Sequence, residues 1–362
     1  MDSPSPLNGA QDGLLDGDLF VAGSGDPTIS DHMAGDAMLP LQGVADSIAA
    51  RGVNRIRGRL RPLGNAFPDA SIGHAWEHDD LATSSGAAID ELMFNEGIAR
   101  VLVRAGAAAG DTVTAQTTPA RTFPRLRVLA TTTDSIGPDS LTQLSAVKDT
   151  LRGDVVISGT IAQGDSATLT VAFRDPSEAY LAALREAFAD RGIVIEDSLH
   201  PDAPRLDTLF VLRSPSLSEI LAAFMKPSQN QIGEVLFKTV ALAHTDTGTA
   251  RVARRIVAER LRAWGAEPDG FLVWDGSGLS RQDLVSPETL IRVLDAMRRH
   301  PHFQTYYDAF PVAGVDGTLR TRMRGTAAEA NARGKTGTLS NVRSLSGYVT
   351  TADGRLLLYS VL

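Results

Sequence analysis

The spacing of apolar residues changes near residue 175, and this change constrains the fold more than any other feature of the chain. From about 95 to 175 the sequence consists of short apolar alternations separated by turn residues, as in ARVLVRAG, DVVISGTIAQG and SATLTVAF. Such alternation predicts an antiparallel or mixed β domain. Beyond residue 175 the apolar residues follow helical spacing until a final run of strands. The two patterns together predict an α+β chain.

Helix start and stop signals divide the second half of the chain. Ser216, with Glu219 three residues later, forms a capping box that opens a helix, and Pro227 stops that helix. A second helix begins at about 231, so residues 227–230 form a tight joint between two helices. Further predicted elements are helices over 36–51, 175–192, 251–265 and 287–300, and a β-meander formed by RGKTGTL, SLSGYVTT and RLLLYSVL.

Charge and composition exclude several classes of protein. The net charge is −8, which argues against a nucleic-acid or anionic-membrane partner. The chain has no cysteine, which excludes disulfides, thiolate catalysis and cysteine zinc sites. No run of 18 apolar residues is present, so no integral membrane segment is predicted. The first 20 residues lack the basic and apolar regions of a signal peptide, so the chain reads as one that begins inside a longer protein.

Lysine usage points to one functional position. Of 35 basic residues only four are lysine, namely Lys148, Lys226, Lys238 and Lys335. Lys335 begins a Lys-Thr-Gly sequence on a predicted strand, where it presents a cation, a hydroxyl and a glycine that lets a ligand approach the strand edge. Ser228-Gln229-Asn230 lies at the helix joint and presents a hydroxyl and an amide. We expect the two motifs to converge on one cleft, although 105 positions separate Asn230 from Lys335.

Two other patterns could carry chemistry, and each has a simpler explanation. His74 and His78 match the His-x-x-Glu-His pattern of zinc peptidases, but the flanking sequence is typical of a loop and the pattern needs a helix. Asp246-Thr247-Gly248 matches the loop of aspartic peptidases, which need a second such loop. Because no second copy occurs, we interpret this segment as a turn that links two helices.

With these motifs in this order, the sequence resembles the class C low-molecular-mass penicillin-binding proteins, which are D-alanyl-D-alanine carboxypeptidases and endopeptidases. The segments that carry the resemblance are DGDLFVAGSGDPTIS, KPSQNQIGEVLFKT, DGSGLSRQDLVSPETLIRVLDAM, FPVAGVDGTLRTRM and GKTGTLSNVRSLSGYVTTADGRLLLYSVL. The resemblance implies a β-lactamase/transpeptidase-like domain of antiparallel sheet and helices, interrupted by a large β-rich insertion. Residues 1–43 and 206–362 would form the incomplete transpeptidase-like domain, and residues 44–205 the insertion.

The resemblance also implies a reaction and its residues. A serine would attack the D-Ala-D-Ala end of a peptidoglycan stem peptide and form an acyl-enzyme, and β-lactams would act as inhibitors. Ser228 would relay a proton to the leaving amine, and Asn230 would hold the substrate amide. Lys335, with Thr336 and Thr338, would bind the terminal carboxylate beside Gly337, and the Thr338 N–H would supply half of the oxyanion hole. No metal or cofactor is implied, and the location would be periplasmic or otherwise extracytoplasmic.

The chain departs from the family at the nucleophile. A Ser-x-x-Lys motif occurs once, as Ser145 and Lys148 inside the presumed insertion, whereas the family has its nucleophile before the segment that opens this chain. We therefore interpret Ser145 as a chance match and expect the chain as written to be inactive. Two alternatives stay open: a non-catalytic cell-wall-binding homologue, and a zinc peptidase that uses His74 and His78. The oligomeric state and the preference between carboxypeptidase and endopeptidase activity are also open.

Overall fold

The structure is a computed structural model that describes residues 10–77, 79–118, 125–134, 142–148, 154–173, 175–199 and 206–362. The chain forms two compact units. The first unit contains residues 1–65 and 78–213, and the second unit contains residues 66–77 and 214–362. No helix among the described residues is both long and apolar enough to cross a lipid bilayer.

The first unit contains the predicted β-rich segment together with three helices. Its helices are α1 (Asp31–Ala34), α2 (Met38–Ala49) and α3 (Pro176–Asp190), and short 3-10 turns occupy Asp80–Ala82, Ser84–Gly86 and Asn95–Gly97. Its strands are β1 (Ala10–Gln11), β2 (Leu14–Leu15), β3 (Leu19–Ala22), β4 (Arg55–Ile56), β5 (Leu60–Leu63), β6 (Ile98–Arg104), β7 (Thr114–Thr118), β8 (Leu126–Val128), β9 (Thr131–Thr133), β10 (Gln143–Lys148), β11 (Val155–Ala162), β12 (Ser166–Ala172) and β13 (Val194–Ile195).

The strands of the first unit pair in both directions, which confirms the predicted mixed β arrangement. Strand β6 lies between β12 and β7 with antiparallel pairing on both sides. Strand β11 pairs antiparallel with β10 and parallel with β8 and β9. Alternate residues such as Val101, Val103, Val155 and Ile157 point inward and form one apolar core between these sheets.

A second core of the first unit joins its early and late segments. Helix α2 packs against α3, and Leu41, Ile48, Ala183 and Phe188 are fully buried in this cluster. Asp175 caps α3, since its Oδ1 accepts from the N–H of Glu178 at 2.8 Å. The units therefore divide the chain differently from the predicted segments 1–43, 44–205 and 206–362, because residues 10–43 share a core with α3. The assignment of residues 1–43 to the transpeptidase-like domain stays a prediction.

The second unit consists of helices packed on a three-stranded antiparallel meander. Its helices are α4 (Leu217–Met225), α5 (Asn230–Leu242), α6 (Ala250–Ala263), α7 (Pro287–Arg298) and α8 (Phe303–Ala309), with a 3-10 turn at Gly317–Leu319. Its strands are β14 (Phe271–Leu272), β15 (Leu284–Val285), β16 (Arg333–Leu339), β17 (Val342–Thr350) and β18 (Leu356–Val361). The meander runs in the order β16–β17–β18, as its sequence predicted.

The core of the second unit lies between the meander and helices α4, α7 and α8. Tyr348 on β17 is fully buried there, and its hydroxyl donates to the carbonyl of Leu294 at 2.7 Å. Helix α5 packs against α6 around Phe237 and Ala241. Residues 66–77 join this unit because Asp69 pairs with the buried Lys238 of α5.

Two glycines allow α5 to approach the loop that follows β14. A Cβ on Gly233 would lie 2.7 Å from the carbonyl oxygen of Gly276, and a Cβ on Gly276 would lie 2.4 Å from the carbonyl oxygen of Gly233. Both distances are shorter than any van der Waals contact. Neither residue can therefore carry a side chain without moving the loop.

We expect Gly233→Ala to destabilise the second unit by about 1–3 kcal/mol, since overpacking outweighs the gain in helix propensity. The matched control is Gly43→Ala in α2, where nothing lies within 4 Å of the position that a Cβ would occupy and a gain of about 0.5–1 kcal/mol is expected. All three tryptophans (Trp76, Trp264, Trp274) lie in the second unit, so urea unfolding followed by their fluorescence reports on Gly233→Ala. The control residue Gly43 lies in the first unit, which has no tryptophan, so circular dichroism is used to follow the unfolding of that variant. Equal stabilisation by both changes would refute the close contact.

Candidate active site

The joint between α4 and α5 presents the Ser228 side chain. Ser228 adopts a φ of 65°, a left-handed backbone conformation that is uncommon for residues other than glycine. The next residue, Gln229, closes the joint, because its N–H donates to the Phe224 carbonyl at 2.9 Å and its side chain caps α5. Asn230 is then the first residue of α5 and is partly buried. The joint thus holds the hydroxyl and the amide two positions apart.

Strand β16 brings Lys335 to the serine. The Lys335 ammonium donates to Ser228 Oγ and to the carbonyl of its neighbour Thr336, the latter at 2.7 Å. The two residues are 107 positions apart in sequence, so the structure brings the two predicted motifs together. Thr336 Oγ1 donates to Thr318 Oγ1 at 2.9 Å, which ties the strand to the 3-10 turn at Gly317–Leu319.

Gly337 also has a structural reason to be glycine. It pairs with Ser344 on β17, and a Cβ at this position would lie 2.3 Å from the Ser344 hydroxyl oxygen. The following residue, Thr338, is exposed and pairs with Arg343. The guanidinium of Arg343 donates to the carbonyl of Leu339 at 2.6 Å and is thereby held at the turn between β16 and β17.

A pocket of about 640 Å³ opens beside the Lys-Thr-Gly motif. Its lining contains side chains with hydroxyl groups, two arginines, a glycine and two apolar residues. These residues are Thr318, Arg322, Thr336, Gly337, Thr338, Arg343, Ser344, Leu345 and Val361. Hydroxyl and guanidinium donors suit a carboxylate ligand, because charged acceptors form the stronger hydrogen bonds. This lining therefore fits a small ligand with a free carboxylate.

Burial changes the acidity of Lys335. Removing the ammonium from water lowers the pKa of Lys335 from 10.5 to about 8. At neutral pH the side chain is still mostly protonated and donates to Ser228. A small rise in pH produces the neutral amine, so the Lys335–Ser228 pair can exchange a proton near physiological pH.

A buried carboxylate lies one turn further along α5. Glu234 Oε1 accepts from the N–H groups of Gly276 and Ser277, each at 2.9 Å. Burial, and then the charge of Asp275, raise the pKa of Glu234 to about 7. The carboxylate therefore holds the loop after β14 against the helix that begins at Asn230.

Asp275 organises the same loop from within. Its oxygens accept from the N–H groups of Gly278 and Ser280, at 2.7 Å and 2.8 Å, and from the indole of Trp76 at 2.8 Å. Burial, followed by a hydrogen bond to Asp275, raises the pKa of Asp283 to about 8. Asp283 is therefore mostly protonated at neutral pH.

Sequence reasoning missed several residues that support the site. Thr318 and Glu234 act through contacts with distant segments, and no local pattern marks them. Lys226 was detectable, since it is one of only four lysines in the chain, as is Lys335. It pairs with Asp316 at 2.6 Å immediately before the Ser228 joint.

The remaining sequence candidates lie elsewhere or have structural partners. Ser145 is in β10 opposite Ser158, within a sheet of the first unit and not at the start of a helix. The segment Asp246-Thr247-Gly248 is a turn between α5 and α6, as expected. We therefore assign neither segment to the site.

The zinc-peptidase pattern is not helical where the structure describes it. Residues 73–77 contain no helix, with a turn at His74 and Ala75, and His78 lies outside the described residues. The His74 ring stacks on Trp274 at 4.4 Å and its Nε2 lies 3.2 Å from Gln282 Oε1. In the described part of the chain, no three histidine or carboxylate side chains are grouped as a metal site would require.

Comparison with known proteins identifies relatives of the chain. The profile of the D-Ala-D-Ala carboxypeptidase 3 (S13) family matches residues 7–362. A D-alanyl-D-alanine carboxypeptidase of Actinomadura sp. (strain R39) is 32% identical over 94% of this chain, which spans 64% of that relative's length. The D-alanyl-D-alanine carboxypeptidase DacB of Haemophilus influenzae is 28% identical over 95% of this chain and 71% of its own length.

Solved structures show the same fold. The crystal structure of penicillin binding protein 4 (dacB) from Haemophilus influenzae superposes with a TM-score of 0.80 and 25% identity, over 99% of this chain and 78% of that one. A second structure of that protein, in complex with a β-lactam, has a TM-score of 0.75. These matches confirm the predicted family resemblance and the α+β fold class.

The raised pKa of Glu234 predicts a pH-dependent effect of Glu234→Gln. Because the folded-state pKa of Glu234 lies above the ordinary value of 4.5, its carboxyl group contributes stability that is fully present below pH 4.5. This stability is lost as the pH rises to about 7. The amide keeps the acceptor for Gly276 and Ser277 but carries no charge. We expect the variant to match the parent at pH 4 and to exceed it at pH 8 by on the order of 1–3 kcal/mol.

Glu219→Gln is the matched control for this experiment. Hydrogen bonds from Ser216 lower the pKa of Glu219, so its charge contributes stability above pH 4.5 that is lost on acidification. The same substitution should therefore lower the free energy of unfolding at neutral pH. Urea unfolding at pH 4, 6 and 8 measures both variants. A gain for Glu234→Gln that is independent of pH would contradict the assigned pKa.

Proposed function

The chain belongs to the D-Ala-D-Ala carboxypeptidase 3 (S13) family, and we propose that its second unit binds the D-alanyl-D-alanine end of peptidoglycan stem peptides for hydrolysis. The proposed reaction is a serine-type carboxypeptidase or endopeptidase reaction that proceeds through an acyl-enzyme. The contact between Lys335 and Ser228 is the observation that carries the proposal. The substrate implies an extracytoplasmic location, and β-lactams are the proposed inhibitors.

Ser228 is the proposed proton relay. Cleavage of an amide requires a proton on the leaving nitrogen. The Lys335 ammonium donates to Ser228 Oγ, which leaves the serine's own hydrogen to point at a bound substrate. Because burial lowers the pKa of Lys335 to about 8, the lysine can replace the proton that the serine gives away.

The edge of β16 and its pocket are the proposed substrate-binding surface. Thr336 and Thr338, with the charge of Lys335, would bind the terminal carboxylate, and Arg322 and Arg343 would add positive charge around it. The Thr338 N–H would donate to the oxyanion. Asn230 would hold the substrate amide, and the absence of a side chain at Gly337 would let the peptide lie close to the strand.

A non-catalytic cell-wall-binding protein remains the alternative function. The absence of a Ser-x-x-Lys motif from the second unit favours it. The proton-transfer pair Lys335–Ser228 favours the enzyme, because simple binding does not require a lysine with a lowered pKa. Release of D-alanine from a stem peptide by the whole protein distinguishes the two functions.

Isothermal titration with N-acetyl-D-Ala-D-Ala tests the proposed binding. We expect the C-terminal amide of this peptide, or the variant Lys335→Met, to weaken binding about tenfold, which corresponds to about 1.4 kcal/mol. The matched control is Lys238→Met, which removes a buried lysine that pairs with Asp69 away from the site. It should change Kd by less than about twofold. Equal affinity for acid and amide would contradict the proposal.

A penicillin-labelling experiment tests the assignment of Ser145. We expect this chain to form no covalent adduct with a fluorescent penicillin, because its one Ser-x-x-Lys serine lies in strand β10. Mass spectrometry after incubation provides the measurement. A label on Ser145 would show that the first unit contains the nucleophile.

A further inference from the structure

Lys226 lies two residues before Ser228, at the C-terminal end of α4, and the mechanism proposed above does not use it. Its side chain and its backbone carbonyl both contact the segment 310–318, whose last residue is Thr318. We propose that Lys226 is a positioning residue, which together with Asp316 holds Ser228 and Thr318 in register with Lys335 and Thr336. We call this pair of contacts the Lys226 clip.

The side chain of Lys226 forms the first half of the clip. Its Nζ donates to Asp316 Oδ2 at 2.6 Å and to the carbonyl of Phe310 at 3.0 Å. The other oxygen of Asp316 accepts from the N–H of Val312 at 2.8 Å. Asp316 therefore joins the lysine to both ends of one loop. An ammonium can serve two acceptors at once in this compact space.

The backbone of Lys226 forms the second half. Its carbonyl accepts from the N–H of Thr318 at 3.0 Å. Between the two contacts lies Gly317, which has a φ of 55° and whose Cβ, if present, would be 2.5 Å from the Lys226 carbonyl oxygen. The loop can therefore approach this close only because residue 317 is glycine.

The contacts form a closed circuit around the site. Ser228 contacts Lys335, Thr336 contacts Thr318, and Thr318 returns through the loop to Lys226. Ser228 has an unfavourable backbone conformation, and such a conformation persists only when surrounding contacts hold it. Without the clip we expect the joint to relax and Ser228 to move away from Lys335.

The ion pair between Lys226 and Asp316 is too exposed to add much to the stability of the fold. Stability therefore does not explain why the two residues are paired. The Lys226 and Asp316 side chains are 27% and 36% exposed, and pairs of this kind contribute little to folding. The clip is therefore expected to act mainly on the geometry of the site. Its effect should appear in the environment of Lys335 more than in the melting temperature.

Titration of the lysine side chains by NMR tests the clip without requiring turnover. The chain has four lysines, so labelled lysine gives four Cε signals, and Lys335→Met assigns the one of interest. In Lys226→Met and in Asp316→Asn we expect the Lys335 midpoint to rise from about 8 by about one unit toward 10.5, because water reaches the ammonium. Asp316→Asn preserves the shape of the loop and covers the case in which Lys226→Met does not fold.

Lys238→Met is the matched control, since Lys238 also binds a carboxylate and a backbone carbonyl. It should lower stability and leave the Lys335 midpoint unchanged. An unchanged midpoint in both clip variants, or an equal shift in the control, would overturn the inference. We also expect both clip variants to bind N-acetyl-D-Ala-D-Ala about tenfold more weakly, and this expectation alone rests on the proposed function. If the parent binds no peptide, the proposed function fails, and the titration still decides the clip.

Discussion

The contact between Lys335 and Ser228 is the interaction on which the rest of the site depends. It joins a β-strand to a helix joint that lies 107 positions earlier, and it removes an ammonium group from water. Burial of a charge is unfavourable unless hydrogen bonds compensate for it. Here the compensation comes from the serine hydroxyl and the Thr336 carbonyl. The left-handed backbone of Ser228 and the hydrogen bond from the Thr336 hydroxyl to Thr318 belong to the two residues that carry these acceptors.

The chain uses lysine where a compact cation must serve several acceptors. Each of Lys226, Lys238 and Lys335 donates to a backbone carbonyl and also to a carboxylate or hydroxyl oxygen. A planar guanidinium could not converge on the same acceptors from one point. Arginines that form ion pairs, such as Arg185 with Asp197 and Arg298 with Asp295, are mostly at exposed positions. The scarcity of lysine in an arginine-rich chain was therefore informative at more than one position.

Features determined by local sequence could be predicted, and among the contacts between distant segments only the convergence of the Ser228 and Lys335 motifs was predicted. The capping box at Ser216 and the final meander depend on neighbouring residues, and the structure contains both. The contact between Thr318 and Thr336 depends on how a loop packs against a strand, and no periodicity reveals it. The division into units was also beyond sequence patterns, because it depends on the packing of α2 against α3.

Glu234 and Lys335, both in the second unit, contribute to stability in ways that change with pH in opposite directions. Glu234 has a raised pKa of about 7, so it becomes charged, and its burial unfavourable, above that pH. Lys335 has a lowered pKa of about 8, so its burial is unfavourable below that pH and becomes less so as the pH rises toward 10.5. Between pH 7 and 8 both groups are largely charged and both oppose folding. The two burial penalties therefore overlap between pH 7 and 8, so together they lower the stability of the second unit most near neutral pH. The proton transfer proposed above needs a lysine that titrates in this same pH range, so the burial that lowers the pKa of Lys335 and the stability of the fold would also supply the proton donor for that reaction.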